Sequence, residues 1–146
     1  MKAFSAITVA HALISLTDPE KGDTTSNLKV QKLLYYTQGV HLALHNVPLF
    51  DEEIVSWQYG PVVPQVYNEF KVYGSGAITI PEKFDFSIFS KEALEVLIEV
   101  HTVYGQFSAI KLMNMTHEEP PYNNTPLKSV ITHKELKKYF KTQLED

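Results

Sequence analysis

The stretch Trp57-Gln58-Tyr59-Gly60-Pro61-Val62-Val63-Pro64 constrains the fold of this chain more than any other. From Ile54 to Tyr59, β-branched and aromatic residues in rough alternation favour a short extended segment. Gly60-Pro61 is expected to form a rigid corner. Pro64 then suits the first turn of a new helix, where a missing N–H costs nothing. That helix is expected to run through Val66 and Tyr67 to about Tyr73, and Gly74 is placed to end it in a left-handed conformation. An arm, a corner and a helix so close together need a partner element to pack on. Asn27-Leu28-Lys29-Val30-Gln31-Lys32-Leu33-Leu34-Tyr35-Tyr36 supplies one. It reads as an amphipathic helix over 27–45, capped by Ser26 and ended by Asn46-Val47-Pro48, with Val30, Leu33, Leu34 and Thr37 as its apolar stripe.

Ala3, Ile7, Ala10 and Ile14 recur at helical spacing and predict a first helix over about 2–16, broken by Asp18-Pro19-Glu20-Lys21-Gly22-Asp23. Residues 75–89 read as irregular, with a short strand expected at 77–80. Ser90 caps a further helix, with Leu94, Leu97, Ile98 and His101 expected inside and Gly105 closing it. Ser108 opens a shorter helix through Met115, and 118–124 is expected to be a loop. Thr132-His133-Lys134-Glu135 is a capping box that starts a last helix with Leu136, Tyr139 and Phe140 on its apolar side. The expectation is a mainly α fold: one compact domain over 1–146, a bundle of about five to six helices with a minor β element.

Composition removes several function classes. The chain has no cysteine, which excludes disulfides, thiolate catalysis and cysteine-ligated zinc. A net charge of −4 argues against nucleic-acid binding, and Lys134, Lys137, Lys138 and Lys141 read as one solvated helix face. No apolar run approaches the roughly 20 residues that span a bilayer. The opening 1–16 stretch has no small-residue cleavage pattern and holds His11 and Ser15, so it reads as a helix of the fold and the expected compartment is the cytoplasm.

Six histidines invite a metal or catalytic reading. His41 and His45 share the four-residue spacing of a helical metal pair, but Leu42-Ala43-Leu44 between them lacks the glutamate of a metalloprotease, and a third ligand from Asp51, Glu52 or Glu53 needs the next loop to fold back. His117, just past a short helix and before Pro120-Pro121, reads first as a residue that ties a loop to the core. Beside Glu118 it could move a proton, yet no nucleophile or phosphate-binding glycine loop accompanies it. No catalytic, metal or cofactor site is assigned. Trp57, the only tryptophan, reads either as core or as an interface anchor. Tyr35 and Tyr36 point about 100° apart on a helix, so at least one is expected to face a surface or groove. Both are therefore candidates for contact with a partner, together with Tyr59, Tyr67, His117 and Tyr122.

These phrases, taken in order, resemble the Panacea domain family, also called the SocA-like antitoxin domain. The resemblance rests on 28–36, on Pro48-Leu49-Phe50-Asp51-Glu52 and on 57–64. It continues through Tyr67, Phe70 and Tyr73-Gly74-Ser75, then Tyr104-Gly105-Gln106-Phe107-Ser108-Ala109 and Thr116-His117. It implies a small, mainly helical antitoxin, without enzymatic activity, that binds a protein toxin encoded nearby. It also implies an alternative, a proteolytic adaptor that delivers the toxin to a AAA+ protease such as ClpXP. From the residues alone, a small His-dependent hydrolase or metal-binding protein is the third reading. Trp57, Gly60, Pro61, Pro64 and Gly74 fall in the motif as residues the fold needs. Where many members carry Pro-Trp after Thr-His, this chain has Pro121-Tyr122.

Overall fold

The computed structural model describes residues 3–144; the expected helix start at Lys2 lies outside them. In chain order the elements are α1 (Ala6–Ser15), α2 (Asn27–His45), β1 (Ile54–Trp57), β2 (Gly60–Val62), α3 (Pro64–Phe70), α4 (Lys91–Tyr104), α5 (Ala109–His117), α6 (Pro120–Asn123), β3 (Val130–Ile131) and α7 (His133–Gln143). The fold is mainly α, with one small antiparallel sheet in the order β2-β1-β3.

Helix α2 is the axis, packed by α7, α4, α5, α1 and β2. Its ends are as the sequence predicts. Ser26 accepts from Lys29 N–H at 3.2 Å, and Asn46 leaves the helix left-handed at φ 63°. Its cross-section is not. Instead of one apolar stripe, the helix is buried on every side, as a helix at the centre of a fold must be. Gln31, Lys32, Gln38 and His41 are buried with the apolar residues. Two of these polar side chains clamp backbone that lies outside the helix. Gln38 accepts from Leu49 N–H at 2.8 Å and donates to Phe50 O at 2.7 Å. Gln31 accepts from Val63 N–H at 2.9 Å and donates to Asn27, which in turn donates to Tyr67 O at 3.1 Å. Gly39 admits the ring of Phe140, so α7 crosses α2 at close range.

The Trp57–Pro64 phrase forms a hairpin rather than an arm and a corner. Trp57 pairs with Gly60 and Val55 with Val62, which puts the turn at Gln58-Tyr59 and places Gly60-Pro61 in the returning strand. The positive φ falls on Gly60 (109°), and Pro61 is tolerated because β2 is an edge strand. Strand β3 pairs with the far side of β1; at two residues it is too short to show a period in sequence. Helix α3 ends at Phe70 and a 3₁₀ turn carries the chain to Tyr73 and Gly74 (φ 58°).

Three further expectations need correction. The strand expected at 77–80 is a single bridge between Ala77 and Ser26. The inner face of α4 is Ala93, Val96, Leu97 and Val100, whereas Ile98 is 48% exposed and Leu94 and His101 are half-buried. Apolar residues on both flanks leave the phase of that helix ambiguous in sequence. The 118–124 segment contains the single turn α6, which Pro120 opens at the first helical position.

Candidate functional site

Neither tyrosine of the Tyr35-Tyr36 pair faces solvent. Both side chains are fully buried, which removes them from any partner surface in this conformation. The sequence argument failed because it assumed one buried face for α2, and the helix has none to spare. Both hydroxyls donate to one carboxylate: Tyr35 to Glu119 Oε1 at 2.9 Å and Tyr36 to Oε2 at 2.8 Å. Tyr36 also stacks on Tyr104, with centroids 3.9 Å apart and planes at 12°. Burial, then the Glu119 charge, pushes both phenols up, and burial raises the Glu119 carboxyl against the opposing pull of the donated hydrogen bonds. Tyr139, beside them, is pushed up to about 12, again chiefly by burial. The pair is a clasp that seats the Glu119 segment on α2.

His117 and Tyr122 act in the same region. Their rings stack at 4.7 Å and 10°, and the Tyr122 hydroxyl donates to Trp57 O at 2.7 Å. The Tyr122 bond ties α6 to the hairpin, and the stack sets the His117 ring at the end of α5 against Tyr122.

What remains exposed on this face is a groove of about 420 Å³ between α2, the hairpin, α3 and α5. Trp57 and Tyr67 form its aromatic wall, edge to face at 5.1 Å, and both are half-buried. Tyr59 at the hairpin tip is 61% exposed and Ile110 of α5 is 57% exposed at its rims. Of the sequence candidates, then, Trp57, Tyr59 and Tyr67 meet at one site, His117 and Tyr122 support it from behind, and Tyr35 and Tyr36 belong to the core. The groove residue that sequence reasoning missed is Lys32. It is fully buried beneath the hairpin, with Pro61 O at 3.2 Å as its described acceptor. Desolvation brings its ammonium down to about 7. Gly60 makes room for it: a Cβ there would stand 2.7 Å from Lys32 Cε and 3.0 Å from Thr116 Oγ1. A lysine among polar neighbours in a helix carries no sequence mark of such burial.

The histidine pair has no third ligand gathered beside it among the described residues. His41 is buried and its Nδ1 lies 2.7 Å from Val47 O, with the His45 ring 4.9 Å away and tilted at 57° to it. Glu52, one of the acids considered as a third ligand, accepts from Ala6 N–H at the start of α1. No group of three His, Asp or Glu among the described residues is placed to hold an ion. No helix among them is long and apolar enough to cross a membrane.

The groove, the clasp and the hairpin lie almost wholly inside one stretch that matches a known family. The family description "Antitoxin SocA-like, Panacea domain" matches residues 30–122. The chain belongs to this family. Among curated proteins, Antitoxin SocA of Caulobacter vibrioides (strain NA1000 / CB15N) is 43% identical over 49 residues, 34% of this chain and 26% of that protein. The match thus spans about a quarter of that relative's length. No solved structure matches.

Proposed function

We propose that this chain is a cytoplasmic antitoxin that neutralises a protein toxin encoded nearby by direct contact through the Trp57–Tyr67 groove. The observation that carries the proposal is the position of the groove: all its lining residues except Asn27 and Leu28 fall within the family-matched stretch. Its walls combine aromatic and aliphatic side chains with few polar groups, the composition of an interface centre. A specific complex of this kind buries roughly 1,200–2,000 Å², so the groove would be its centre rather than its extent. Binding needs no chemistry on the partner, in keeping with an antitoxin family.

The test is to express the neighbouring open reading frame with and without this chain, scoring growth and co-purification. Growth arrest that the chain relieves while forming a stable complex supports the proposal. A harmless neighbour that does not bind counts against it. Relief that disappears in cells lacking a AAA+ protease, with the toxin then persisting, would instead favour the adaptor role.

A further inference from the structure

Two helices of the fold carry exposed stripes of opposite charge. On α4, Glu92, Glu95 and Glu99 are exposed at helical spacing, turned away from the buried face of Ala93, Val96, Leu97 and Val100. On α7, Lys134, Lys138 and Lys141 are exposed away from buried Leu136 and Phe140, with half-buried Lys137 at their edge. Glu135, the acid within α7, is half-buried at its first turn, and Lys91 lies ahead of the acidic stripe. Both helices pack on α2 rather than on one another. They flank the same side of it, where Tyr36 touches Tyr104 of α4 and Phe140 of α7.

The spacing of the two stripes is complementary in one direction. Along the chain the acids are separated by three residues and then four, the lysines by four and then three. Set antiparallel, the stripes match in order: Glu92 with Lys141, Glu95 with Lys138 and Glu99 with Lys134. Set parallel, the middle pair falls out of step. Each stripe covers the same length of helix, about 10 Å at 1.5 Å per residue. Antiparallel placement also brings opposite ends of the two helix dipoles together. We propose that these faces are covered by a second copy of this chain, α4 of each copy lying antiparallel on α7 of the other about a two-fold axis. Because both helices flank one side of α2, the reciprocal contact closes at the same time, as an isologous interface requires. Exposed ion pairs contribute little singly, but here they form a network used twice. Exposed Ile98 and Val103 on α4 add apolar area to it. None of these residues lines the Trp57–Tyr67 groove, so the contact leaves the groove free in each copy and needs no toxin.

The test is the mass of the full chain in solution, by sedimentation velocity over a concentration series at about 0.05 and 0.5 M salt. A dimer of the 16.6 kDa chain is expected at low salt, dissociating at high salt as the exposed pairs are screened. Glu95→Lys and Lys138→Glu change exposed positions and should keep the helical circular dichroism of wild type. Each is expected to weaken the dimer at least about tenfold, because it sets like charges face to face. The double variant Glu95→Lys/Lys138→Glu is expected to restore the dimer. Lys111→Glu, the same charge change at an exposed position on α5, should leave it as in wild type. A monomer at every concentration, a species larger than a dimer, or a dimer that salt and both single changes leave intact would overturn the proposal. Failure of the double variant to restore the dimer would overturn it as well. A monomer that binds a short DNA duplex, and loses it in Lys138→Glu, would overturn it by assigning the lysine stripe to nucleic acid.

Discussion

Lys32 and Gly60 share one space: the Lys32 Cε lies 2.7 Å from where a Cβ at position 60 would stand. The buried cation and the left-handed glycine therefore depend on each other. Gly60→Ala must hold alanine at φ 109° and displace either the lysine stem or Thr116. It should destabilise the fold by about 1–3 kcal/mol, read as a lower urea midpoint at unchanged slope.

The same lysine sets a pH dependence. Its folded value near 7 is below its unfolded value near 10.5, so between these the unfolded chain binds the extra proton. Stability should therefore rise as pH climbs through that window, and the contribution is lost as pH falls through about 7. Above about pH 10 the sign reverses, because unfolded tyrosines ionise while Tyr35 and Tyr36, pushed up by burial, stay protonated. Lys32→Met should remove the rise and be more stable than wild type at pH 6 by about 1–4 kcal/mol. Urea titrations of both proteins across pH 6–10 (about the window in question) check this; parallel curves would show that Lys32 is not desolvated.

The Tyr35–Glu119–Tyr36 clasp predicts coupled losses. Tyr35→Phe or Tyr36→Phe each removes a hydrogen bond to a carboxylate and should cost about 1.5–3 kcal/mol. Glu119→Ala leaves two buried hydroxyls without their acceptor and should cost more than either. In the Glu119→Ala background the two Phe changes should be nearly neutral, the double-mutant signature of one shared partner.

The extent to which this was legible in sequence divides along α2. Its limits and caps were readable, because Ser26 and Asn46 act locally through their own side chain and backbone. Its burial was not, because nothing in 27–45 records how many elements surround it. For that reason at least one of Tyr35 and Tyr36 is expected at a surface from sequence, and Lys32 carries no mark of its burial. Similarly, the hairpin's composition was visible but its register was not, since Gly60-Pro61 can either turn a chain or follow a turn. Tyr59 and Tyr67 were candidates for partner contact, and the structure places both at the groove, Tyr59 exposed at the hairpin tip and Tyr67 half-buried on α3. Glu119 gave no signal: its partners are α2 residues far away in sequence.

Trp57 separates stability from binding. It is half-buried against Tyr67, so Trp57→Ala should cost less than the roughly 3–5 kcal/mol of a fully buried aromatic. Thermal melts should show a folded variant with a modestly lowered midpoint. A collapse of the fold would assign Trp57 to the core instead.

The central claim is that the Trp57–Tyr67 groove is where the chain holds its toxin. The most direct measurement is the affinity of the co-purified partner for wild type, Tyr67→Ala and Tyr104→Phe, each checked for folding. Tyr67 lines the groove, whereas Tyr104 stacks inside on Tyr36. The account predicts that Tyr67→Ala weakens the complex at least about tenfold and releases growth arrest, as loss of an interface hot spot does, while Tyr104→Phe binds as wild type. Equal affinity for a folded Tyr67→Ala variant would contradict it and place the contact on another face.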